Sequence, residues 1–226
     1  YTSTPSVIGY EQEAMNVGQD APYARQHQAH YPATKAEAEQ MVLASNGSNL
    51  ASVALRPHLI FGPGDNNLLP RVIQRAEAGR LPIVGTGKNI VDMTYIDNAA
   101  WAHLDAAERL SSPEAVCAGR AYFISNDEPV VLWDWVNNLL DELGIEPIKR
   151  RVSLGAAKLV GQVLEGVWSV LPLAGEPRMT PFIASALARS HWYDMGPAYS
   201  DLGYRVRVPM DEATKATVAW FKEQRG

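Results

Sequence analysis

His30-Tyr31-Pro32-Ala33-Thr34-Lys35-Ala36-Glu37-Ala38-Glu39 is the stretch whose reading decides the rest. Tyr31 and Lys35 are four residues apart, so on a helix their side chains leave the same face one turn from each other. A free phenol has a pKa of about 10, too high for acid/base work near neutrality. An ammonium one turn away favours the phenolate and lowers that value, as a general acid/base for a carbonyl or an alcohol requires. Pro32 is tolerated only in a first helical turn, where its missing N–H is not needed. The spacing therefore predicts a helix from near Tyr31 to about Ser45. Such a pair also arises by chance, and its weight comes from the surrounding chain.

The chain has 226 residues, 46% hydrophobic and 20% charged, with a net charge of -5. This is the composition of a globular protein with one large domain, or one domain and a lobe. No basic run with interleaved aromatics occurs, which argues against nucleic acid as a partner. The single cysteine, Cys117, has no cysteine partner in the chain and no Cys/His cluster around it, so it reads as a buried apolar thiol and no metal site is expected. No stretch is long and apolar enough to predict a spanning helix, no signal peptide is visible, and a cytoplasmic location is expected. The opening, Tyr1-Thr2-Ser3-Thr4-Pro5-Ser6-Val7, reads as the end of a buried strand with nothing before it, and suggests the later part of a longer protein.

Thr2, Ser3 and Thr4 place three hydroxyls at a strand's carboxyl end, where ligands bind in open α/β sheets. Such hydroxyls also cap their own turns. Residues 10–30 read as a polar loop, and its His27 and His30 lack a third metal ligand. Asn46-Gly47-Ser48-Asn49 is a helix stop. Leu50 to Pro57 is a buried strand of the parallel type, leaving through Pro57-His58-Leu59-Ile60-Phe61-Gly62-Pro63-Gly64-Asp65, whose apolar side chains and free amides suit one face of a flat ring. A helix over 68–78 follows. Ile83-Val84-Gly85-Thr86-Gly87-Lys88 is not a phosphate loop, because Pro82 stands where the first glycine belongs and Asn89 where Ser or Thr belongs. It reads as a hairpin-like turn. A strand at 91–98 leads into a helix over 99–110, capped by Asp97 or Asn98, with Trp101, Leu104 and Ala107 or Glu108 near one face. Ala121 to Ser125 is a strand, and a helix over 132–143 stops at Gly144. Strand and helix alternate as in α/β units with a mainly parallel sheet.

From 153 to 171 the chain reads as an amphipathic helix with Leu159, Val160, Val163, Leu164, Val167, Trp168 and Leu171 on one broad face. It is a core helix of a small lobe, or lines a pocket for a lipid-like substrate, or lies on a membrane surface. Pro172, Gly175, Pro177 and Pro181 then break the chain. A helix at 182–188, a strand near His191-Trp192-Tyr193 and a short helix at 197–202 follow. A helix over 210–224 closes the chain, with Ala213, Ala216, Thr217, Trp220 and Phe221 inward.

In this order the motifs resemble the extended short-chain dehydrogenase/reductases. The carriers are Tyr1 to Val7, Tyr31-Pro32-Ala33-Thr34-Lys35, Leu55 to Asp65, Thr94-Tyr95-Ile96-Asp97-Asn98-Ala99-Ala100 and Asp201-Leu202-Gly203-Tyr204. Cys117 to Asn126 and His191-Trp192-Tyr193 narrow the likeness to the 3β-hydroxysteroid dehydrogenase/isomerase branch. The resemblance implies the carboxyl-terminal part of a Rossmann-like parallel sheet with a smaller, mostly helical substrate lobe: 1–150 the later dinucleotide-binding part, 151–205 mainly the substrate lobe, 206–226 the closing helix. It implies that Tyr31 donates or accepts the proton, that Lys35 lowers its pKa and holds the nicotinamide ribose, that Thr4 orients substrate, that Ser3 lies beside the nicotinamide, and that Pro57, His58, Leu59 and Ile60 run along its ring. The cofactor is NADP or NAD, NADP favoured by the resemblance alone. The implied reaction interconverts a ketone and a secondary alcohol on a lipid-like small molecule, a 2-alkyl-3-oxoalkanoate or a sterol-like compound. A homodimer is implied, and a place in a multi-enzyme assembly is compatible. The alternatives are a nucleotide-sugar epimerase or dehydratase, and a non-catalytic scaffold subunit. The family's Gly-rich pyrophosphate turn and its adenosine-ribose residue do not occur in these 226 residues, so this stretch alone is expected neither to bind dinucleotide tightly nor to fold well.

Overall fold

The computed structural model describes residues 1–171, 175 and 177–225. Pro172, expected to break the chain, lies outside the described residues. Strands β1 (Ala14–Val17), β2 (Ala54–Pro57), β3 (Ile60–Phe61), β4 (Ile83–Val84), β5 (Ile90–Val91), β6 (Thr94–Tyr95), β7 (Ala121–Ile124), β8 (Val130–Val131), β9 (Arg151–Val152) and β10 (His191–Tyr193) are interspersed with seven described helices. These are α1 (His30–Ala44), α2 (Leu68–Glu77), α3 (Ile96–Leu110), α4 (Leu132–Glu142), α5 (Leu154–Val170), α6 (Pro181–Ala188) and α7 (Met210–Arg225). The class is α/β, as the alternation predicts.

Pairing is parallel except between β5 and β8. β2 lies beside β7, with Pro57 opposite Ile124. On its other side the opening residues add a further parallel neighbour, through a Thr2–Leu55 bridge and a bond from the Ser3 N–H to the Leu55 carbonyl at 2.6 Å. All four residues of β2 are buried, as expected of a strand covered on both faces. Three parallel strands therefore end side by side, at Ser3, Pro57 and Ile124, and Thr94 ties two of them. Its hydroxyl lies 2.8 Å from both the His58 and Ile124 carbonyls and accepts from the His58 N–H at 3.1 Å. One core cluster under β2 and β7 includes Leu55, Ala102, Tyr122, Ile124 and the buried thiol Cys117, in keeping with the apolar role read for it. A second cluster joins Phe61, Leu69, Trp133, Leu139 and Val218. In α7, Met210, Ala213, Thr217, Val218 and Phe221 are buried, with Trp135 of α4 donating to Thr214 at 3.0 Å.

Four local expectations change. Residues 14–17, read as loop, form β1, which pairs with β10. The 83–88 segment turns at Gly85 and Gly87, but it is no hairpin: β4 pairs with β9, and β5 with β10 and β8. Helix α3 begins at Ile96, with no side-chain cap. Asn98 is buried inside it, donating to Asn126 Oδ1 and the Val208 carbonyl and accepting from the Arg207 and Val208 N–H groups. Its inward face is Asn98, Ala99, Ala102 and Ala106, and Leu104 points to solvent.

The fourth concerns α5. Ser153 caps it as a good N-cap residue should, but it buries only Ala157 and Gly161. Its large residues face outward, with Leu159 62%, Val163 58% and Val170 80% exposed. The core-helix reading fails for that face. The reason is close approach: a Cβ at Gly161 would lie 2.7 Å from both the Pro181 nitrogen and the Thr180 carbonyl carbon. Small residues let the start of α6 come in, and the bulky ones turn away. Gly161→Ala should therefore cost about 1–3 kcal/mol through overpacking, seen as a thermal midpoint lower by roughly 2–4 °C per kcal/mol for a chain of this size. An unchanged midpoint in a calorimetric scan would contradict the close approach.

Candidate active site

Helix α1 carries Tyr31 in its first turn, 55% exposed, with Pro32 buried behind it. Tyr31, Lys35 and Glu39 recur every four residues and so follow one side of the helix. The last of them is anchored. Glu39 is fully buried and Arg56 of β2 nearly so. The guanidinium grips the carboxylate from Nη2 at 2.6 Å and from Nε at 3.1 Å. Tyr23 adds an O–H donor at 2.7 Å, and the Arg56 guanidinium lies 5.1 Å from the Phe123 ring centre. Burial by itself would raise the Glu39 carboxyl, but the Arg56 hydrogen bonds and charge outweigh it and hold the group below the ordinary carboxylate range. Burial and the Glu39 hydrogen bond push the Tyr23 phenol up to about 12.

Lys35 reaches the other way. Its Nζ donates to the Thr2 carbonyl at 2.5 Å and sits 4.5 Å over the Tyr1 ring. An ammonium has three donors, so two are left for a ligand. This bond ties the Tyr31–Lys35 part of α1 to the opening strand near its end, the end of the sheet at which open α/β folds bind ligands.

The residues singled out in the sequence divide there. Ser3 Oγ is buried and faces the Glu39 carboxylate, which it helps to hold in the charged form, though it makes no hydrogen bond of ordinary geometry among the described residues. Thr4 caps the 3-10 turn Pro5–Ile8, its Oγ1 accepting from the Ser6 N–H at 3.3 Å and lying 3.1 Å from Ser6 Oγ. Both hydroxyls are turned to groups of the chain, Thr4 to Ser6 and Ser3 to Glu39. Pro57 ends β2 and is buried, while Leu59 and Ile60 are partly open. The His58 side chain is turned inward, its Nδ1 2.6 Å from Asp92 Oδ1. Ile60 also lines a cavity of about 270 Å³ with Phe61, Gly62, Leu68 and Ile96. The free Lys35 donors and the partly open Leu59 and Ile60 fit the nicotinamide end of a dinucleotide. Among the described residues no three His, Cys, Asp or Glu side chains gather as a metal site.

Several neighbours were not foreseen. Tyr10, read as loop, is buried with its ring 4.8 Å from His191 and 5.5 Å from Phe182. Burial drives its hydroxyl well above the phenol range, with Tyr193 opposing and Asp92 and Tyr31 adding. His191 stays neutral, its pKa lowered to about 3 by burial and then by His58. A usable signal existed only for Glu39, two helical turns from Tyr31 on the same face.

A profile of the 3-beta hydroxysteroid dehydrogenase/isomerase family matches residues 1–154. The chain belongs to that family. Among curated relatives of the family's chemistry, the 2-alkyl-3-oxoalkanoate reductase of Stenotrophomonas maltophilia is 49% identical over 217 residues, covering 95% of this chain and 66% of the relative. The protein of the same name from Shewanella oneidensis is 43% identical, covering 95% and 57%. An Arabidopsis thaliana 3beta-hydroxysteroid-dehydrogenase/decarboxylase is 36% identical, covering 98% and 52%. The chain thus spans between about half and two thirds of the length of these three relatives. The fold is shared with a UDP-glucuronic acid 4-epimerase from Bacillus cereus in complex with NAD, at TM-score 0.68 and 19% identity, covering 100% of this chain and 61% of that one. It is shared too with a dTDP-glucose 4,6-dehydratase from Streptomyces venezuelae with NAD bound, at TM-score 0.66 and 21% identity, covering 100% and 60%.

Removing one partner of a buried ion pair strands the other charge, at about 3–5 kcal/mol. Glu39→Ala should destabilise the protein by that order, measured by denaturant unfolding. The pH sign follows from the depressed Glu39 pKa. Its contribution is present above the ordinary carboxylate range and is lost as pH falls through the folded-state value. The variant should accordingly show a flatter acid limb of stability against pH than the parent, and an equally steep limb would count against the pair.

Proposed function

We propose that this chain is the catalytic part of an NAD(P)-dependent cytoplasmic reductase that interconverts a ketone and a secondary alcohol on a lipid-like substrate, a 2-alkyl-3-oxoalkanoate or a sterol-like compound. The observation that supports the reading is the Lys35 bond to the Thr2 carbonyl, because it ties the turn of α1 that carries Tyr31 and Lys35 to the opening strand next to β2. A bound nicotinamide dinucleotide supplies the hydride. Tyr31 gives its phenolic proton to the carbonyl oxygen, or takes it back in the reverse direction. The Lys35 ammonium stabilises the phenolate left behind and holds ribose hydroxyls through its free donors. Thr4, at the end of the opening strand, would orient the substrate by exchanging its Ser6 contact for the substrate oxygen. Leu59 and Ile60 form the apolar wall.

The lipid-like substrate is supported by the names of the reductase relatives and by the open apolar sector of α5, which has Lys158 and Glu165 as its only charges. That sector suits an alkyl chain better than a sugar nucleotide. Pairing of two copies through the exposed side of α1, where Met41 is 67% exposed, agrees with the homodimer that the family resemblance implies. Tyr31→Phe in the full-length polypeptide should lower turnover of a 2-alkyl-3-oxoalkanoate by about 10²–10⁴-fold, the usual worth of a positioned acid/base. Dinucleotide binding should be retained. Undiminished NADPH consumption by the variant would eliminate the catalytic reading.

A further inference from the structure

His58 is held at every polar group but one. Its N–H donates to the Ile124 carbonyl and to Thr94 Oγ1, each at 3.1 Å, and its carbonyl meets the Thr94 hydroxyl at 2.8 Å. Its ring Nδ1 lies 2.6 Å from Asp92 Oδ1, and Asp92 Oδ2 accepts from the Tyr193 N–H at 3.1 Å. His191 and Tyr193 close on the ring edgewise, at 4.7 and 5.2 Å between centres. Both members of the His58–Asp92 pair are almost wholly buried. None of these groups has a part in the proton transfer assigned to Tyr31.

The next residue explains what the clamp does. Leu59 has φ +41°, in the left-handed region. A branched apolar residue does not adopt that conformation without cost, and it persists only where its surroundings over-determine it. Here the surroundings are His58 on one side and Ile60, paired with Thr94, on the other. A buried pair of this kind is a poor source of stability, since apolar residues of similar volume often do as well or better. Its use here is conformational.

We propose that the Asp92–His58 pair is a positioning device that keeps Leu59 in its left-handed conformation and so fixes the Leu59–Ile60 wall against which a nicotinamide ring lies. The inference rests on the reading of that loop as the nicotinamide wall. Asp92 and His58 touch neither cofactor nor substrate and act through Leu59. Loosening the loop lets it relax to unstrained conformations, so binding must first select the competent one, and affinity falls by the competent fraction.

The test uses the full-length polypeptide, with NADPH and NADH dissociation constants from fluorescence titration and thermal midpoints measured side by side. The double variant His58→Leu/Asp92→Leu replaces the pair by apolar side chains. It should keep its midpoint within a few degrees, yet bind the preferred dinucleotide about tenfold or more weakly. Leu59→Gly provides an independent arm, since glycine takes a positive φ without strain but no longer holds one conformation. Because the Leu59 side chain also packs on the core cluster, its midpoint should fall, while its dissociation constant rises about tenfold or more. Wild-type affinity in either variant would overturn the positioning role and leave the reductase reading intact. Failure of the wild type to bind either dinucleotide would remove the reductase reading, and this one with it.

Discussion

A carboxylate and a guanidinium, Glu39 and Arg56, are buried together between helix α1 and strand β2, and the placement of the candidate site follows from that contact. It is bidentate, shielded by the Phe123 ring and completed by the Tyr23 hydroxyl. A helix resting on a sheet through apolar side chains alone can slide or turn by a few ångströms at little cost. One resting on a buried charge pair cannot, because moving it would leave the charges unmatched in a low-dielectric interior. Glu39 lies on the Tyr31–Lys35 side of α1, and Arg56 stands immediately before the Pro57–Ile60 loop. One contact therefore sets the register of the phenol, the ammonium and the apolar wall together.

Lys35 adds the second fixed point. Its hold on the Thr2 carbonyl brings the opening residues into the same assembly, and the parallel pairing of Tyr1–Ser3, β2 and β7 lines up three strand ends beneath it. Thr94 ties the ends of β2 and β7, and Asp92 takes the His58 ring. The proposed chemistry rests on two groups, Tyr31 and Lys35. The remaining polar residues of the crevice hold backbone in place. Helices α5 and α6 are built differently: α5 meets the start of α6 at Gly161 and keeps large apolar residues such as Leu159, Val163 and Val170 open.

What was legible in the sequence was what local physics decides. The Tyr31 helix, α2, α4 and α7 follow from apolar spacing, proline and glycine punctuation, and the buried strands at 54–57 and 121–124 from short apolar runs. What was missed depends on partners far away in the chain. Ala14-Met15-Asn16-Val17 has no alternation of its own and becomes a strand only because His191–Tyr193 lies alongside. The spacing puts Glu39 on the Tyr31–Lys35 face, but its burial shows only once Arg56 is set against it. In α5 the periodicity was right and the inward side was not, since the face that packs is chosen by Gly161, where α6 needs room. Thr4 and Ser3 are neighbours in an equally hydroxyl-rich strand end. Only the folded geometry shows that Thr4 is turned to Ser6 and Ser3 to Glu39.

The central claim is that the Glu39–Arg56 contact and the Lys35 bond aim Tyr31 at the crevice beyond the three strand ends. A crystal structure of the full-length polypeptide with its nicotinamide dinucleotide tests it most directly. The account predicts the ring between the Tyr31 hydroxyl and the Leu59–Ile60 wall, with Lys35 Nζ within hydrogen-bond reach of the ribose and Glu39 still gripped by Arg56. A ring bound elsewhere, or Tyr31 directed away from it with the ion pair intact, would contradict it.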